Sequence, residues 1–481
     1  MKLAEICSKD MRIVGNAQTE ITSVAYDSRK VCKGALFFCI SGYKTDGHGY
    51  AQAAVDNGAV ALMVTRELDI DVAQVVVADA RIAMAHISRA FYGNPDEQLT
   101  MIGITGTKGK TTTTYMIKSV MESAGKKIGL IGTIINMIGS KELHTDRTTP
   151  ESPDLFALLR QMADEGCDAV VMEVSSHSLF LGRVAGITYD VGVFTNLSRD
   201  HLDFHETFEN YMAAKKLLFD VSKRAAVNAD DAVSSFMMDG IDIDWLTYGI
   251  KDKADVYAKN IEITPKGVSF DLCSSRGMLP LNLNIPGIFS VYNAMSAACA
   301  CMLLGMGLET IKTGLEAMPC VAGRFEVLDT GNRPFTIILD YAHTPDSLEN
   351  TLLTVKGFAR GRIITVFGCG GDRDRGKRPM MGEIAGRLST FTVITSDNPR
   401  TEDPFAIIEE IEEGIKKTDC EYICIENRRE AIRYAIQNAD PDDIIVLAGK
   451  GHETYQEING VKHPFDEKIV VQELLNENTN A

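Results

Sequence analysis

From Leu99 onward, short apolar and β-branched runs alternate with helical stretches, and that alternation dictates a parallel sheet wrapped by helices. Residues 101–105, 169–174 and 191–195 are the buried-strand candidates. Residues 253–284 break the pattern: they are strand-rich and hairpin-like, expected antiparallel at the sheet edge, before 287–307 return to helix. Runs at 336–339, 363–367, 392–395 and 444–447 then alternate with helices again. Ahead of all this, 34–40 reads as a strand ended by Ser41-Gly42, 50–57 as a helix stopped by Gly58, and 60–64 and 75–77 as two further strands. The chain has 481 residues, too long for one ordinary core, and about 150 residues per domain gives roughly three. A turn cluster at 91–96 sets the first boundary and 323–333 the second. The expected fold class is therefore α/β in three domains: a small N-terminal unit (1–98), a central phosphate-loop domain with a parallel sheet (99–328) and a Rossmann-like C-terminal domain (329–481).

Formal net charge is −17, which disfavours nucleic acid and anionic lipid as partners. Local Arg, Lys and backbone N–H groups can still reverse the field in a cleft that takes a phosphate-bearing substrate. No apolar run is long enough for a membrane span, and the acid at Glu5 interrupts any secretory signal core, so a soluble cytoplasmic protein is expected. Eleven cysteines lack the paired spacing of a zinc site or disulfide ladder and are read as buried, reduced thiols.

The strongest local signal is Gly103-Ile104-Thr105-Gly106-Thr107-Lys108-Gly109-Lys110-Thr111-Thr112-Thr113. An apolar strand enters a Gly-rich turn, and Gly-Lys-Thr opens a helix. Backbone N–H groups of such a turn point at phosphate oxygens, and the helix N-terminus adds its positive end. Lys110 can reach terminal phosphates, and the Thr111 hydroxyl can ligate Mg²⁺. The strict phosphate-loop spacing fails by one residue, since Gly103 stands one position too early. The loop establishes nucleotide handling, which motors, switches and kinases share.

Glu173 ends a buried strand, where a parallel sheet opens onto its ligand crevice, and Val174-Ser175-Ser176-His177 follow. The next strand ends in Asn196-Leu197-Ser198-Arg199-Asp200-His201-Leu202-Asp203-Phe204-His205. A single histidine there is more often a satisfied surface or core residue. Clustered acids and histidines at two neighbouring strand ends suit a metal and charge neutralisation during phosphoryl transfer. Lys215 lies on an amphipathic helix and, from its own surroundings in sequence, reads as a solvated lysine.

Taken in order, these motifs resemble the Mur ligase family along essentially the whole chain. They comprise Asp27-Ser28-Arg29, the 106–112 loop, Thr148-Thr149-Pro150, Glu173 to His177, Asn196 to Asp203, Ala213-Ala214-Lys215 and Tyr292-Asn293. Gly323-Arg324-Phe325-Glu326, Asp340-Tyr341-Ala342-His343-Thr344-Pro345, Gly370 to Pro379, Asp397-Asn398-Pro399-Arg400 and Gly449-Lys450-Gly451-His452-Glu453 follow. The resemblance implies an ATP-dependent amide ligase of peptidoglycan precursor synthesis, and a monomer is expected. Within the family the chain is similar to the branch that adds the third stem residue to UDP-N-acetylmuramoyl-L-alanyl-D-glutamate through an acyl phosphate. It implies ATP as co-substrate, held by Gly106, Thr107, Lys108, Gly109, Lys110, Thr111, Thr112, Asn293 and Arg324, with Asp340 and His343 near the nucleoside. It implies two Mg²⁺ ions, with Thr111 and Glu173 at one and His201 and Lys215 near the other, Lys215 being carbamylated to N6-carboxylysine. Lys110, Glu173, His201 and Lys215 are then the catalytic set. Ser28, Thr148, Thr149, Ser175 and Arg183 match the positions that hold the UDP-sugar peptide. Leu181 departs from the glutamine that relatives often carry two residues before that arginine, which puts one substrate hydrogen bond in doubt.

Asp397-Asn398-Pro399-Arg400 resembles the form found where the amine is meso-diaminopimelate, with Arg373, Gly449 and Glu453 matching its other contacts. A guanidinium at Arg400 can hold the second carboxylate of diaminopimelate with two parallel hydrogen bonds. Lysine as acceptor would leave that guanidinium unpaired. A lysine-adding ligase and a folylpolyglutamate synthase-like ligase are the alternatives. A motor-type ATPase would carry coupling elements absent here, and a non-catalytic relative would be expected to lack Lys110, Glu173 or Lys215.

Overall fold

A computed structural model describes residues 1–42, 45–145, 147–250, 254–264, 266–318 and 321–477. Two compact units are present: Met1–Tyr257 with Cys273–Gly277 and Tyr292–Leu315, and Ala258–Leu272 with Met278–Val291 and Glu316–Ala481. Contact density thus groups part of 258–328 with the C-terminal sequence, whereas the sequence reading drew that line at residue 328.

The first unit holds two sheets. The N-terminal one has five strands in the order Arg12–Val14, Ala73–Val76, Ala59–Val64, Ala35–Phe38 and Ser23–Ala25, parallel except for the first pair. Helix Ala80–Phe91 packs Ala83, Met84 and Ile87 onto it, and Asp79 caps the helix by accepting from the amides of Arg81 and Ile82. The same helix packs against helix Ser152–Asp164 of the larger sheet's cover.

The larger sheet runs Lys141–Leu143, Asn136–Ile138, Ile128–Ile131, Ala169–Glu173, Thr100–Thr105, Val191–Phe194, Arg224–Asn228, Asp244–Gly249 and then Val256–Thr264. Its middle is parallel, and strands such as Ala169–Glu173 and Val191–Phe194 are buried at every position. Burial on both faces is why these strands read as unbroken apolar runs. Register pairs Glu173 with Ile104 and Phe194 with Thr105, so three strands end side by side. Val256–Thr264, Gly267–Ser274 and Gly277–Leu283 are the strand-rich stretch that the sequence predicted, but Val256–Thr264 joins Asp244–Gly249 in parallel, against the antiparallel edge expected there.

The second unit is built on a six-stranded sheet: Glu326–Leu328, Thr336–Asp340, Ile444–Ala448, Ile363–Phe367, Phe391–Ile394 and Glu421–Cys424. All neighbours are parallel except the first pair. Helices Pro345–Lys356, Lys377–Leu388 and Pro404–Ile415 bury Leu348, Met381 and Ile411 on one face. Arg428–Gln437 and Glu467–Glu477 bury Ile432 and Val471 on the other. That is a doubly covered α/β layer, as expected. Among the described residues no helix is long and apolar enough to cross a membrane.

Ten cysteines lie among the described residues. Six are buried, but Cys32 and Cys424 are exposed, which corrects the reading of a uniformly buried set.

Candidate active site

Strand Thr100–Thr105 delivers the chain into the 106–109 turn, and helix Lys110–Ser123 opens directly behind it. Gly106 (φ 151°) and Gly109 (φ 83°) are glycine for steric reasons as well as conformational ones. A Cβ on Gly106 would stand 1.9 Å from Thr195 Oγ1, and one on Gly109 2.4 Å from Asn293 Oδ1. Asn293, on helix Ile288–Leu303, therefore lies against the loop.

The neighbouring strand end holds the turn in shape. The Thr107 amide donates to Asn196 O at 2.9 Å, and the Lys108 amide donates to Asn196 Oδ1 at 2.9 Å. Lys108 O accepts from Thr195 Oγ1 and Asn196 Nδ2. Asn196 is thus a structural clamp of the loop, a role its place in the Asn-Leu-Ser-Arg-Asp-His run did not reveal. Thr112, in the first turn of the helix, is buried.

Glu173 is buried, and its carboxylate accepts from Thr111 Oγ1, from the Thr133 amide and from Thr133 Oγ1, each at 2.9 Å. Thr133 follows a strand of the sheet and carries no sequence signal that would have found it. Two hard oxygen donors, Thr111 Oγ1 and a Glu173 carboxylate oxygen, lie side by side at the helix N-terminus. That donor set fits Mg²⁺.

Lys215 departs from its sequence reading. Its side chain is fully buried, and Nζ donates to Gly106 O at 2.8 Å and sits 4.6 Å from the centre of the Tyr211 ring. Helix Phe208–Asp220 turns this face inward against the sheet, which helical periodicity around one lysine does not disclose. Lys110 Nζ donates to the same Gly106 carbonyl at 2.9 Å and to Thr107 O at 2.9 Å. Burial first, and the Lys110 charge second, hold the Lys215 ammonium well below the ordinary lysine range. An ammonium is no metal ligand, so Lys215 fits a second Mg²⁺ only once it carries a carboxylate. His201 is half-exposed, with a left-handed backbone (φ 54°); its ring meets those of His177 at 4.9 Å and Tyr211 at 6.0 Å. Among the described residues no three His, Cys, Asp or Glu side chains converge as a ready-made metal cage.

Four of the five residues expected at the UDP-sugar peptide come together. Thr148 Oγ1 lies 3.1 Å from Thr133 Oγ1, and Thr149 Oγ1 donates to Glu173 O at 2.8 Å and accepts from the Ser175 amide at 3.2 Å. Arg183 Nη1 donates to Thr149 O at 3.2 Å, and Nη2 pairs with Glu151 at 2.9 Å. Ser28 sits in the short helical turn Ser28–Lys30 of the N-terminal sheet, where Asp27 caps the turn and Asn57 donates to the Ser28 carbonyl. Leu181 ends helix Ser176–Phe180 and offers no polar group at that step.

In the second unit, Asp340 ends its strand and accepts from the Phe325 amide at 2.7 Å and Thr351 Oγ1 at 3.0 Å, and burial raises its pKa. The Arg324 guanidinium lies 5.0 Å over the Tyr341 ring, and His343 contacts the same ring from 4.6 Å. Asp397 to Arg400 follow the strand Phe391–Ile394, and Gly449 to Glu453 follow Ile444–Ala448. Asn398 Nδ2 donates to Glu453 Oε2 at 2.8 Å. Gly449 (φ 114°) brings the backbone against Asp397, where a Cβ would stand 3.2 Å from Oδ2. Pro399 O packs on Gly371, and Arg373 is exposed on the loop that follows.

Arg400 corrects one premise. Its Nη1 donates to Gly371 O at 2.7 Å and its Nε lies 3.3 Å from Glu457, so the guanidinium is already engaged by protein. Lysine in the pocket would not leave it wholly unpaired.

The family models for the Mur ligase family catalytic domain, the Mur ligase middle domain and the Mur ligase glutamate ligase domain match residues 20–92, 104–301 and 323–451. A relative from Caldanaerobacter subterraneus subsp. tengcongensis, named UDP-N-acetylmuramoyl-L-alanyl-D-glutamate--2,6-diaminopimelate ligase, is 52% identical over 97% of both chains. The chain belongs to the Mur ligase family. A Clostridium acetobutylicum Mur ligase, UDP-N-acetylmuramoyl-L-alanyl-D-glutamate--2,6-diaminopimelate ligase 1, is 50% identical over 99% of this chain and 100% of its own. A solved Mur ligase structure with the same activity in its name superposes with a TM-score of 0.74, at 33% identity and full coverage of both chains.

Proposed function

We propose that this chain is an ATP-dependent ligase that joins meso-diaminopimelate to the D-glutamyl side-chain carboxylate of UDP-N-acetylmuramoyl-L-alanyl-D-glutamate. The observation that carries the chemistry is the convergence of Lys110 and Lys215 on one carbonyl of a phosphate turn whose flank is Thr111 and Glu173. The relatives' names carry the substrate class. The cluster of Asp397, Asn398, Arg400 and Glu453, with two carboxylates and a guanidinium, matches an amino acid bearing both ammonium and carboxylate groups.

A carboxylate is a poor electrophile, so the γ-phosphoryl of ATP passes to it and gives an acyl phosphate with ADP leaving. The amine then attacks the carbonyl carbon, the tetrahedral adduct collapses, and inorganic phosphate leaves with formation of the amide. The Thr107 and Lys108 amides are held by Asn196, so the backbone N–H groups at the helix start, 109–111, orient the phosphates, and Lys110 swings from its loop carbonyls to follow the transferred charge. Thr111 and Glu173 would hold Mg²⁺, with carbamylated Lys215 and His201 near a second; such ions supply charge neutralisation as phosphate moves. Thr149, Ser175 and Arg183 hold the peptide end of the nucleotide substrate. No protein nucleophile is needed, because both reacting groups belong to substrates.

The test is phosphate release from Mg-ATP with the UDP-sugar dipeptide and either meso-diaminopimelate or L-lysine. Release that requires both the dipeptide and diaminopimelate, and is weaker with lysine, is expected. Equal rates would remove the acceptor assignment, and release with neither acceptor would remove the ligase.

A further inference from the structure

Lys450 is fully buried and is not among the residues expected to touch substrate. It lies between Gly449 (φ 114°) and Gly451 (φ 54°), so its stem leaves a backbone that only glycine neighbours permit easily. Its Nζ has three oxygen neighbours: Asn398 Oδ1 at 3.1 Å, Glu453 Oε2 at 3.2 Å and Asp397 Oδ1 at 3.4 Å. Each belongs to a side chain assigned to the amine acceptor. An ammonium has three donors, and all three are directed at this pocket.

We propose that Lys450 is a positioning residue that presets the acceptor pocket, an inference that rests on the reading of that pocket given above. Asn398 Oδ1 accepts from Lys450 and from the Glu457 amide at 2.9 Å, which fixes the amide so that Nδ2 faces Glu453. Glu453 Oε2 then receives both Asn398 Nδ2 and Lys450 Nζ. Its other oxygen, Oε1, is left to receive the ammonium of the incoming amino acid. Lys450 also offsets one of the two carboxylates it touches, so Asp397, Glu453 and Lys450 together carry the net charge of a single anion. A buried pair of carboxylates without that counter-ion would be costly and would take up a proton or spread apart.

The experiment is steady-state kinetics of Lys450→Met and Lys450→Gln in the full chain, varying each substrate in turn. With Lys450→Met, KM for meso-diaminopimelate is expected to rise at least tenfold while KM for ATP and for the UDP-sugar dipeptide stay within twofold. Lys450→Gln keeps two N–H donors and is expected to fall between the two. An unchanged or lower acceptor KM would show that the ammonium acts only as a counter-charge and would overturn the proposal. So would equal rises for all three substrates, or failure of both variants to fold, since either assigns Lys450 to general stability. If the wild-type enzyme itself does not respond to diaminopimelate, the functional reading fails instead, and the two failures are distinct.

Discussion

Replacing Lys215 by alanine separates a buried structural lysine from one that must be modified. Lys215 Nζ and Lys110 Nζ each lie within 2.9 Å of Gly106 O, so the two nitrogens are no more than about 5.8 Å apart. Two ammonium groups at that separation repel by about 3 kcal/mol at an effective dielectric constant of 20. Reaction of the neutral amine with CO₂ forms an N–C bond, releases one proton and converts that repulsion to attraction. The lowered pKa of the unmodified amine supplies the neutral form at a lower pH than an ordinary lysine. The unfolded chain keeps its proton up to the ordinary lysine value and the folded, unmodified protein loses it earlier. Stability of the unmodified protein therefore rises with pH through that window. Lys215→Ala is expected to lower the phosphate-release rate by about 10²–10³-fold, the usual cost of losing one charge-positioning group. Acetate or propionate at high concentration should restore part of it, and CO₂-depleted buffer should lower wild-type activity reversibly. Full activity in Lys215→Ala without added acid would refute the argument, as would rescue by ethylamine in place of acetate.

Other outcomes follow from the same contacts. Arg428 is fully buried, pairs with Glu467 at 2.8 Å and donates to Ser396 O and Ala448 O, the residues just ahead of the two acceptor loops. Arg428→Met should cost about 3–5 kcal/mol in urea unfolding because Glu467 is left buried without a partner; a loss under 1 kcal/mol would show that the pair is dispensable. Gly109→Ala forces a left-handed alanine into Asn293 and should raise KM for ATP more than tenfold, at about 1–2 kcal/mol in stability; the readout is nucleotide kinetics beside thermal unfolding. Because Arg400 keeps Gly371 O and Glu457 when lysine is the acceptor, the preference for diaminopimelate should be worth only about 1.5–3 kcal/mol. Competition between the two amino acids measures it directly, and Arg400→Leu should erase most of it. Burial pushes His452 down to about 4, so the unfolded chain binds its proton first as pH falls from about 6.5 to about 4. Stability should fall across that range, and His452→Gln should flatten the fall in pH-dependent denaturation.

The strand–turn–helix at 100–123 was legible because its determinants are local: an apolar run, glycines where φ is positive, and Lys-Thr at a helix start. The alternation of buried strands and helices likewise dictated the sheet layers, since a parallel sheet must hide both faces. The motif order was enough to resemble one family. What no linear pattern contained was the direction of single side chains across the tertiary fold. Lys215 reads as solvated because its neighbours in sequence are those of any amphipathic helix, yet the helix turns it onto the carbonyl of a loop more than a hundred residues away. Thr133 looks like an ordinary residue after a strand until sheet register sets it beside Glu173. Arg400 looks available in sequence and is engaged by Glu457 and Gly371 in space. Secondary structure follows from propensity and periodicity over a few residues. The partners of a buried charge are chosen by packing between distant segments, where desolvation makes an unpaired group too costly to leave.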